Sequence, residues 1–196
     1  MKKIPTLFIR NPEDMKHVLP EVNPACLWVI AGEGVATRKW DGTCVRLDTG
    51  GNWWARREVK PGRTAPAGFV EVEHDENTGK TVGWEPIYQS AFVKFWDEAW
   101  QRQRDSGAVI EPGTFELVGP KINGNPEGLE HHRLIRHGWT KLSHREFLNG
   151  VGRSFDELKR FFQGDMPKSL TGIEGIVYHH PDGRMAKIKR RDFPTT

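Results

Sequence analysis

Ile173-Glu174-Gly175-Ile176-Val177-Tyr178-His179-His180-Pro181-Asp182-Gly183-Arg184-Met185-Ala186-Lys187-Ile188-Lys189 is the stretch that decides the fold class. Ile173–Tyr178 and Met185–Lys189 are β-rich runs, and Pro181-Asp182-Gly183 carries turn chemistry between them. Two strands joined by a tight turn follow. Side chains alternate along a strand, so Lys187 and Lys189, two residues apart, face one side. Such a pair is a solvated strand face in most proteins, and its meaning depends on what else the chain supplies.

Similar runs at Leu27–Ile30, Thr43–Leu47, Trp53–Arg57, Phe69–Glu73 and Thr114–Val118 predict further strands, with Asp48-Thr49-Gly50-Gly51-Asn52 as a hairpin turn. The 21 glycines and 13 prolines are spread along the whole chain, which suits short strands joined by turns. Helices are fewer. Ile87, Ala91, Phe92, Phe95, Trp96, Ala99 and Trp100 recur at helical spacing, predicting a helix from Pro86 to Arg104 that Asp105-Ser106-Gly107 stops. Ser154 and Glu157 form a capping box for a second helix, with Phe155, Leu158, Phe161 and Phe162 on its buried side and Gly164 at its end. A short helix is expected over Ser143–Leu148. The sum is an α+β fold. No linker interrupts it, so residues 1–196 read as a single domain.

Composition bounds the class. With 196 residues, 36% hydrophobic and 28% charged, the chain is long enough for a sizeable core and too apolar for disorder. No apolar run approaches the ~18 residues that span a bilayer. Pro5 and Arg10 interrupt the one segment that imitates a signal peptide. Cys26 and Cys44 cannot staple a scaffold, so a soluble, cytoplasmic protein with reduced thiols is expected. The net charge of +3 neither demands nor excludes nucleic acid. Locally, five of the eight residues from Arg184 to Arg191 are basic, and Trp53-Trp54-Ala55-Arg56-Arg57 sets aromatics beside cations. Most of the eight tryptophans belong in a core on burial frequencies.

Several familiar motifs fail. Thr78-Gly79-Lys80-Thr81 ends like a phosphate-binding loop, but His74 stands where the first glycine is needed. Gly32-Glu33-Gly34 is followed by Thr37 where a dinucleotide loop needs its third glycine. There is no Gly-x-Ser-x-Gly elbow. His131, His132, His137, His144, His179 and His180 match no zinc spacing.

What remains is an ordered set: Lys39-Trp40-Asp41-Gly42, Arg56-Arg57, Glu116 within Gly113–Gly119, Glu174-Gly175-Ile176-Val177, and Lys187-Ile188-Lys189. In this order it resembles the covalent nucleotidyltransferases, comprising ATP-dependent DNA ligases, RNA ligases and mRNA capping enzymes. Lys39–Gly42 looks like motif I, Phe115–Gly119 like motif III, Glu174–Val177 like motif IV and Lys187–Lys189 like motif V. Trp54-Ala55-Arg56, Lys60-Pro61, Glu116–Pro126 and His137-Gly138 resemble, more closely, a small stand-alone family of ATP-dependent 5′-to-3′ RNA ligases. The resemblance implies a nucleotidyltransferase domain of packed antiparallel sheets with flanking helices. The chain's end seven residues after Lys189 implies no oligonucleotide-binding domain.

The resemblance also implies the chemistry: Lys39 takes AMP from ATP, AMP passes to an RNA 5′-phosphate, and a 3′-hydroxyl displaces it. Lys39 must be neutral to attack, and at pH 7 that costs a free lysine about 4–5 kcal/mol. Nearby cations (Lys187, Lys189, Arg56) and partial burial can supply the shift. Lys187 and Lys189 are expected to neutralise phosphates. Asp41 orders the turn, and Gly42 lets the backbone approach the nucleotide. Glu174 is the expected Mg²⁺-linked carboxylate, with Mn²⁺ as an alternative ion. Glu116 serves either the ribose hydroxyls or a metal-bound water. Arg56, or Arg57, contacts ribose or the RNA 5′-phosphate. Leu134 or His137 substitutes for the family's adenine-stacking aromatic. Trp53, Trp54, the Asn123–Pro126 loop and the Arg184–Arg191 stretch are candidate RNA contacts. A DNA nick ligase or GTP-using capping enzyme is the neighbouring alternative, and a non-catalytic RNA-binding module the other.

Overall fold

The computed structural model describes residues 2–194. Along the chain run β1 (Phe8–Arg10), β2 (Val18–Val22), α1 (Leu27–Ile30), β3 (Val35–Lys39), β4 (Thr43–Leu47), β5 (Trp53–Val59), β6 (Val70–Asp75) and β7 (Lys80–Pro86). Then come α2 (Val93–Asp105), β8 (Gly113–Val118), β9 (Arg133–Arg136), α3 (Leu142–Gly150), α4 (Phe155–Arg160), β10 (Gly175–His179) and β11 (Met185–Lys189). The fold is α+β with antiparallel sheets. It forms two compact units: one from the centre of the chain, built chiefly of Asp41–His137, and one from the segments that flank it in sequence, Ile4–Trp40 together with the chain from Gly138 onward.

In the flanking unit, β10 lies between β11 and β3. Lys39 sits opposite Gly175, and Gly175 opposite Lys189; the next row on that face is Thr37, Val177 and Lys187. Ala36, Ile176, Tyr178, Ala186 and Ile188 point the other way, into a core shared with Leu148, Leu158, Phe161 and Phe162. This alternation fixes register, because a slip of one residue would exchange the lysines with core isoleucine. Both sheet edges are covered, which removes open templates for wrong pairing. On β3, the Asn149 side chain accepts from Ala36 N–H (2.9 Å) and donates to its carbonyl (3.1 Å), while Thr140 Oγ1 accepts from Arg38 N–H (2.9 Å). On β11, Lys187 N–H donates to Pro5 O (3.0 Å) and Leu7 N–H to Lys187 O (2.8 Å).

The central unit is one antiparallel sheet in the order β6-β7-β5-β4-β8-β9. Val45, Leu47, Trp53, Ala55, Phe115 and Leu117 form its core with Phe95, Trp96, Ala99 and Trp100 of α2. Trp53 packs 5.4–5.7 Å from Trp96, Trp100 and Phe115, ring centre to ring centre, so it is a core residue and not an RNA contact. By strand alternation, Arg46, Trp54, Arg56, Trp84 and Glu116 occupy the opposite face.

Three sequence expectations change. Leu27–Ile30 is a helical turn, not a strand. Asn23 caps the preceding turn with Pro24 at its first position, and burial of Trp28 and Val29 but not Leu27 or Ile30 is helical. A four-residue apolar run carries no period that separates the two. The long helix begins at Val93, because β7 claims the chain up to Pro86 and a single 3-10 turn, Ile87–Gln89, follows. In α4 the capping box is present, but the α-helix ends at Arg160 and Phe161–Asp165 widens into a π-turn. No helix among the described residues is long and apolar enough to cross a membrane.

A Cβ at Gly175 would stand 2.2 Å from the Ile188 carbonyl oxygen and 2.8 Å from Lys189 Cα. Gly175→Ala should therefore cost about 1–3 kcal/mol through overpacking between β10 and β11. Urea unfolding measures it; an unchanged midpoint would contradict this pairing.

Candidate functional site

The sequence-picked residues fall into two clusters, one in each unit. In the flanking unit, Glu174 lies one residue before β10, level with the Lys39–Gly175–Lys189 row. Its Oε2 accepts from Lys39 Nζ and its Oε1 from Lys189 Nζ, each at 2.5 Å. The Glu174 side chain is only 10% exposed. Burial works against its ionisation, but attraction and hydrogen bonds from Lys39 and Lys189 outweigh it and hold the carboxyl below its ordinary pKa. Lys187, on the same face, has no such pairing. Burial, then repulsion from Lys189 and Lys39, pulls its pKa down from 10.5 to about 8. Three lysines against one carboxylate leave this half-buried face cationic, the electrostatics a polyphosphate requires.

The end of β11 has a support that sequence reading missed. Buried Asp192 accepts from Lys189 N–H (2.8 Å) and from Arg10 (2.8 Å), so the strand bearing Lys189 is tied at its last residue. Arg184–Arg191 is therefore not a continuous exposed patch. Lys187 and Lys189 belong to the lysine row, and Arg184 pairs with Asp182 at 2.7 Å.

In the central unit, the residues that follow Lys39 and Trp40 are pinned by side chains. Asp41 N–H donates to Glu127 Oε1 (3.0 Å) and Gly42 N–H to Glu116 Oε1 (3.1 Å). Asn123 Nδ2 donates to both Asp41 Oδ1 (2.9 Å) and the Gly42 carbonyl (3.0 Å). Asn123 does this from a left-handed backbone, φ 48°. Gly42 is required by crowding against β8: a Cβ there would lie 2.3 Å from Leu117 O and 2.9 Å from Glu116 Cγ. The second Glu116 oxygen meets His137 Nε2 at 2.8 Å, and His137 Nδ1 meets Thr114 Oγ1 at 2.8 Å. A carboxylate only accepts, so Nε2 is the donor in the contact with Glu116. Leu134, considered for adenine stacking, is buried in the central core and has no face to offer.

Arg56 shares the face of Glu116, is half-buried, and has a buried Nε with no acceptor among the described residues. Arg57 is exposed. Trp54 donates its indole N–H to Asp48 (2.8 Å). Arg46, not singled out from the sequence, lies on the same face with its guanidinium 5.6 Å from the Trp84 ring centre. Its alternation within Thr43–Leu47 was the available signal. No group of three or more His, Cys, Asp or Glu residues among those described is arranged to hold a metal ion.

No protein-family model matches the chain. Among curated proteins it is similar to RNA ligase 1 of Rattus norvegicus, 25% identical over 217 aligned positions covering 80% of this chain and 66% of the relative. RNA ligase 1 of Pongo abelii is 29% identical over 171 positions, covering 70% and 50%. RNA ligase 1 of Danio rerio is 36% identical over 83 positions, covering 39% and 23%. The chain thus spans from about a quarter to just under two thirds of the length of these relatives.

A lysine whose pKa falls on folding opposes folding while it is charged. Between about 8 and 10.5 the unfolded chain holds a proton that folded Lys187 has lost, so this group's penalty is full below that window and fades as pH rises through it. Lys187→Met should raise the melting temperature near pH 7 by a few degrees, with the gain shrinking towards pH 10. Thermal unfolding of both proteins across this range checks the sign; a gain that does not narrow would contradict it.

Proposed function

We propose that this chain is an ATP-dependent RNA ligase that self-adenylylates on Lys39. The observation that carries the reading is the register of the flanking sheet, which holds Lys39 level with Lys189 and puts Glu174 between their amines. Similarity to RNA ligase 1 over most of the chain supports the same reading.

In the first step the Lys39 amine attacks the α-phosphorus of ATP. The N–P bond forms, the bond from that phosphorus to the β-phosphate oxygen breaks, pyrophosphate leaves with the electron pair, and the lysine's proton goes to water. In the second, an oxygen of the RNA 5′-phosphate attacks the same phosphorus, the N–P bond breaks, and the Lys39 nitrogen takes a proton from water and departs as an amine. In the third, the RNA 3′-hydroxyl attacks the activated 5′-phosphorus and gives its proton to water, the bond from that phosphorus to the AMP oxygen breaks, AMP leaves with the electron pair, and a phosphodiester remains.

In the free protein Glu174 engages the Lys39 side chain at 2.5 Å and fixes where its nitrogen sits. Lys187 and Lys189 offer positive charge to the phosphates as charge develops on the leaving group. A magnesium ion arriving with ATP would take few carboxylates and draw its remaining ligands from phosphate and water. It would be held by Glu174, with Glu116 as the other candidate, and would neutralise phosphate charge. Glu116, which also fixes Gly42 and the His137 ring, is the residue assigned to the ribose hydroxyls in this reading. Arg56 offers its half-buried guanidinium to ribose or to the RNA 5′-phosphate.

The test uses otherwise identical substrates with RNA or DNA on each side of a break bearing a 5′-phosphate and a 3′-hydroxyl. ATP-dependent joining is expected where RNA lies on the 3′-hydroxyl side; equal sealing of an all-DNA break, or joining driven by GTP, would overturn the assignment. Lys187→Ala and Lys189→Ala should each slow label uptake from α-labelled ATP by about tenfold, equivalent to about 1.4 kcal/mol of transition-state stabilisation. Normal uptake by both would remove the lysine row from the chemistry.

A further inference from the structure

The residues that flank Lys39 form a second surface, which the steps above do not use. Trp40 and Trp139, far apart in sequence, meet with ring centres 6.3 Å apart and planes inclined by 32°. The Arg38 guanidinium lies 4.1 Å from the Trp40 ring centre. The bond from Arg38 N–H to Thr140 holds the Trp139 segment along the outer edge of β3. Trp139 is 49% exposed, and Leu142 beside it 68%. Exposed Lys141 opens α3, with His144 three residues on. Burial, then the positive charge of Lys141 and Arg38, lowers the His144 pKa, so both cations act on the first turn of the helix. Glu146 is the one acid within α3.

An exposed tryptophan beside an exposed leucine also suits a protein partner, but the centre of a protein interface is depleted of lysine. Here exposed Lys141 lies two residues from exposed Trp139, and Arg38 rests on Trp40. Single-stranded RNA matches that pattern, with a base for the exposed ring and a phosphate for the Lys141 ammonium; duplex RNA hides its base faces in the stack. Arg38 alternates with Lys39 along β3 and so lies on the opposite side of the strand from the lysine row. Building on the ligase reading, we propose that Arg38, Trp40, Trp139 and Lys141 form a docking platform for single-stranded RNA, anchoring a substrate strand close to Lys39.

The test compares the full chain with its Trp139→Ala, Trp139→Phe and Lys141→Ala variants. The probe is a fluorescent single-stranded oligoribonucleotide, its affinity read by anisotropy across a salt series. Trp139→Ala should weaken binding about tenfold, since one base stack is worth about 1–3 kcal/mol, and Trp139→Phe should restore most of it. Lys141→Ala should flatten the salt dependence by about 0.7 in log–log slope, the share of one phosphate contact on a single strand. Label uptake from α-labelled ATP needs no RNA and should stay within twofold of the parent in all three. Unchanged RNA affinity in Trp139→Ala overturns the platform. So does a change of oligomeric state at constant RNA affinity, which would mark a protein interface. Loss of RNA binding on Trp139→Ala in a protein that takes no label from ATP would uphold the platform and sink the ligase reading alone.

Discussion

Two ammonium groups sharing one buried carboxylate is the arrangement on which the rest of this structure turns. Glu174 is largely withdrawn from water, and a lone carboxylate there would be neutral or costly. Lys39 and Lys189 keep it charged, and it keeps them side by side although like charges repel. The pairing works only if β3, β10 and β11 stay in register, because all three residues are fixed by that alignment. The sheet's edges are accordingly closed by Asn149 and Thr140 on one side and by Pro5 and Leu7 on the other.

The chain that leaves Lys39 is held as firmly. Glu127, Glu116 and Asn123 take the backbone and side-chain groups of Asp41 and Gly42, so the peptide units after the lysine have few free polar atoms and little freedom. Asn123 accepts an unfavourable left-handed backbone to do so, and a non-glycine residue in that region is costly unless its surroundings fix it. A reactive lysine benefits from such rigidity, because a nucleophile pre-set in position gives up less freedom on reaching the transition state.

Legibility followed sequence range. The β10–β11 hairpin was readable because period-two alternation and a Pro-Asp-Gly turn are local signals. The capping box of α4 was readable for the same reason. β3 was not, since Val-Ala-Thr-Arg-Lys is short and ends in two cations. The pattern of Lys39, Glu116, Glu174, Lys187 and Lys189 could be seen only as a family resemblance, because nothing in spacing alone joins residues 39 and 174. Their supports were invisible: Asn149 reaches Ala36 across 113 residues, Thr140 reaches Arg38 across 102 and Asn123 reaches Asp41 across 82. Trp53 shows the opposite error, since an aromatic beside arginines looked like a nucleic-acid contact and is held in a tryptophan-rich core.

The central claim is that Lys39 is the nucleophile and that Glu174 and Lys189 set its position. Tandem mass spectrometry of the protein after incubation with ATP and magnesium, followed by proteolysis at low temperature and neutral to alkaline pH to preserve a phosphoramidate, tests it most directly. The account predicts one AMP on the peptide containing Lys39, attached at that side chain. AMP on Lys187, Lys189 or any other residue, with Lys39 unmodified, would contradict it.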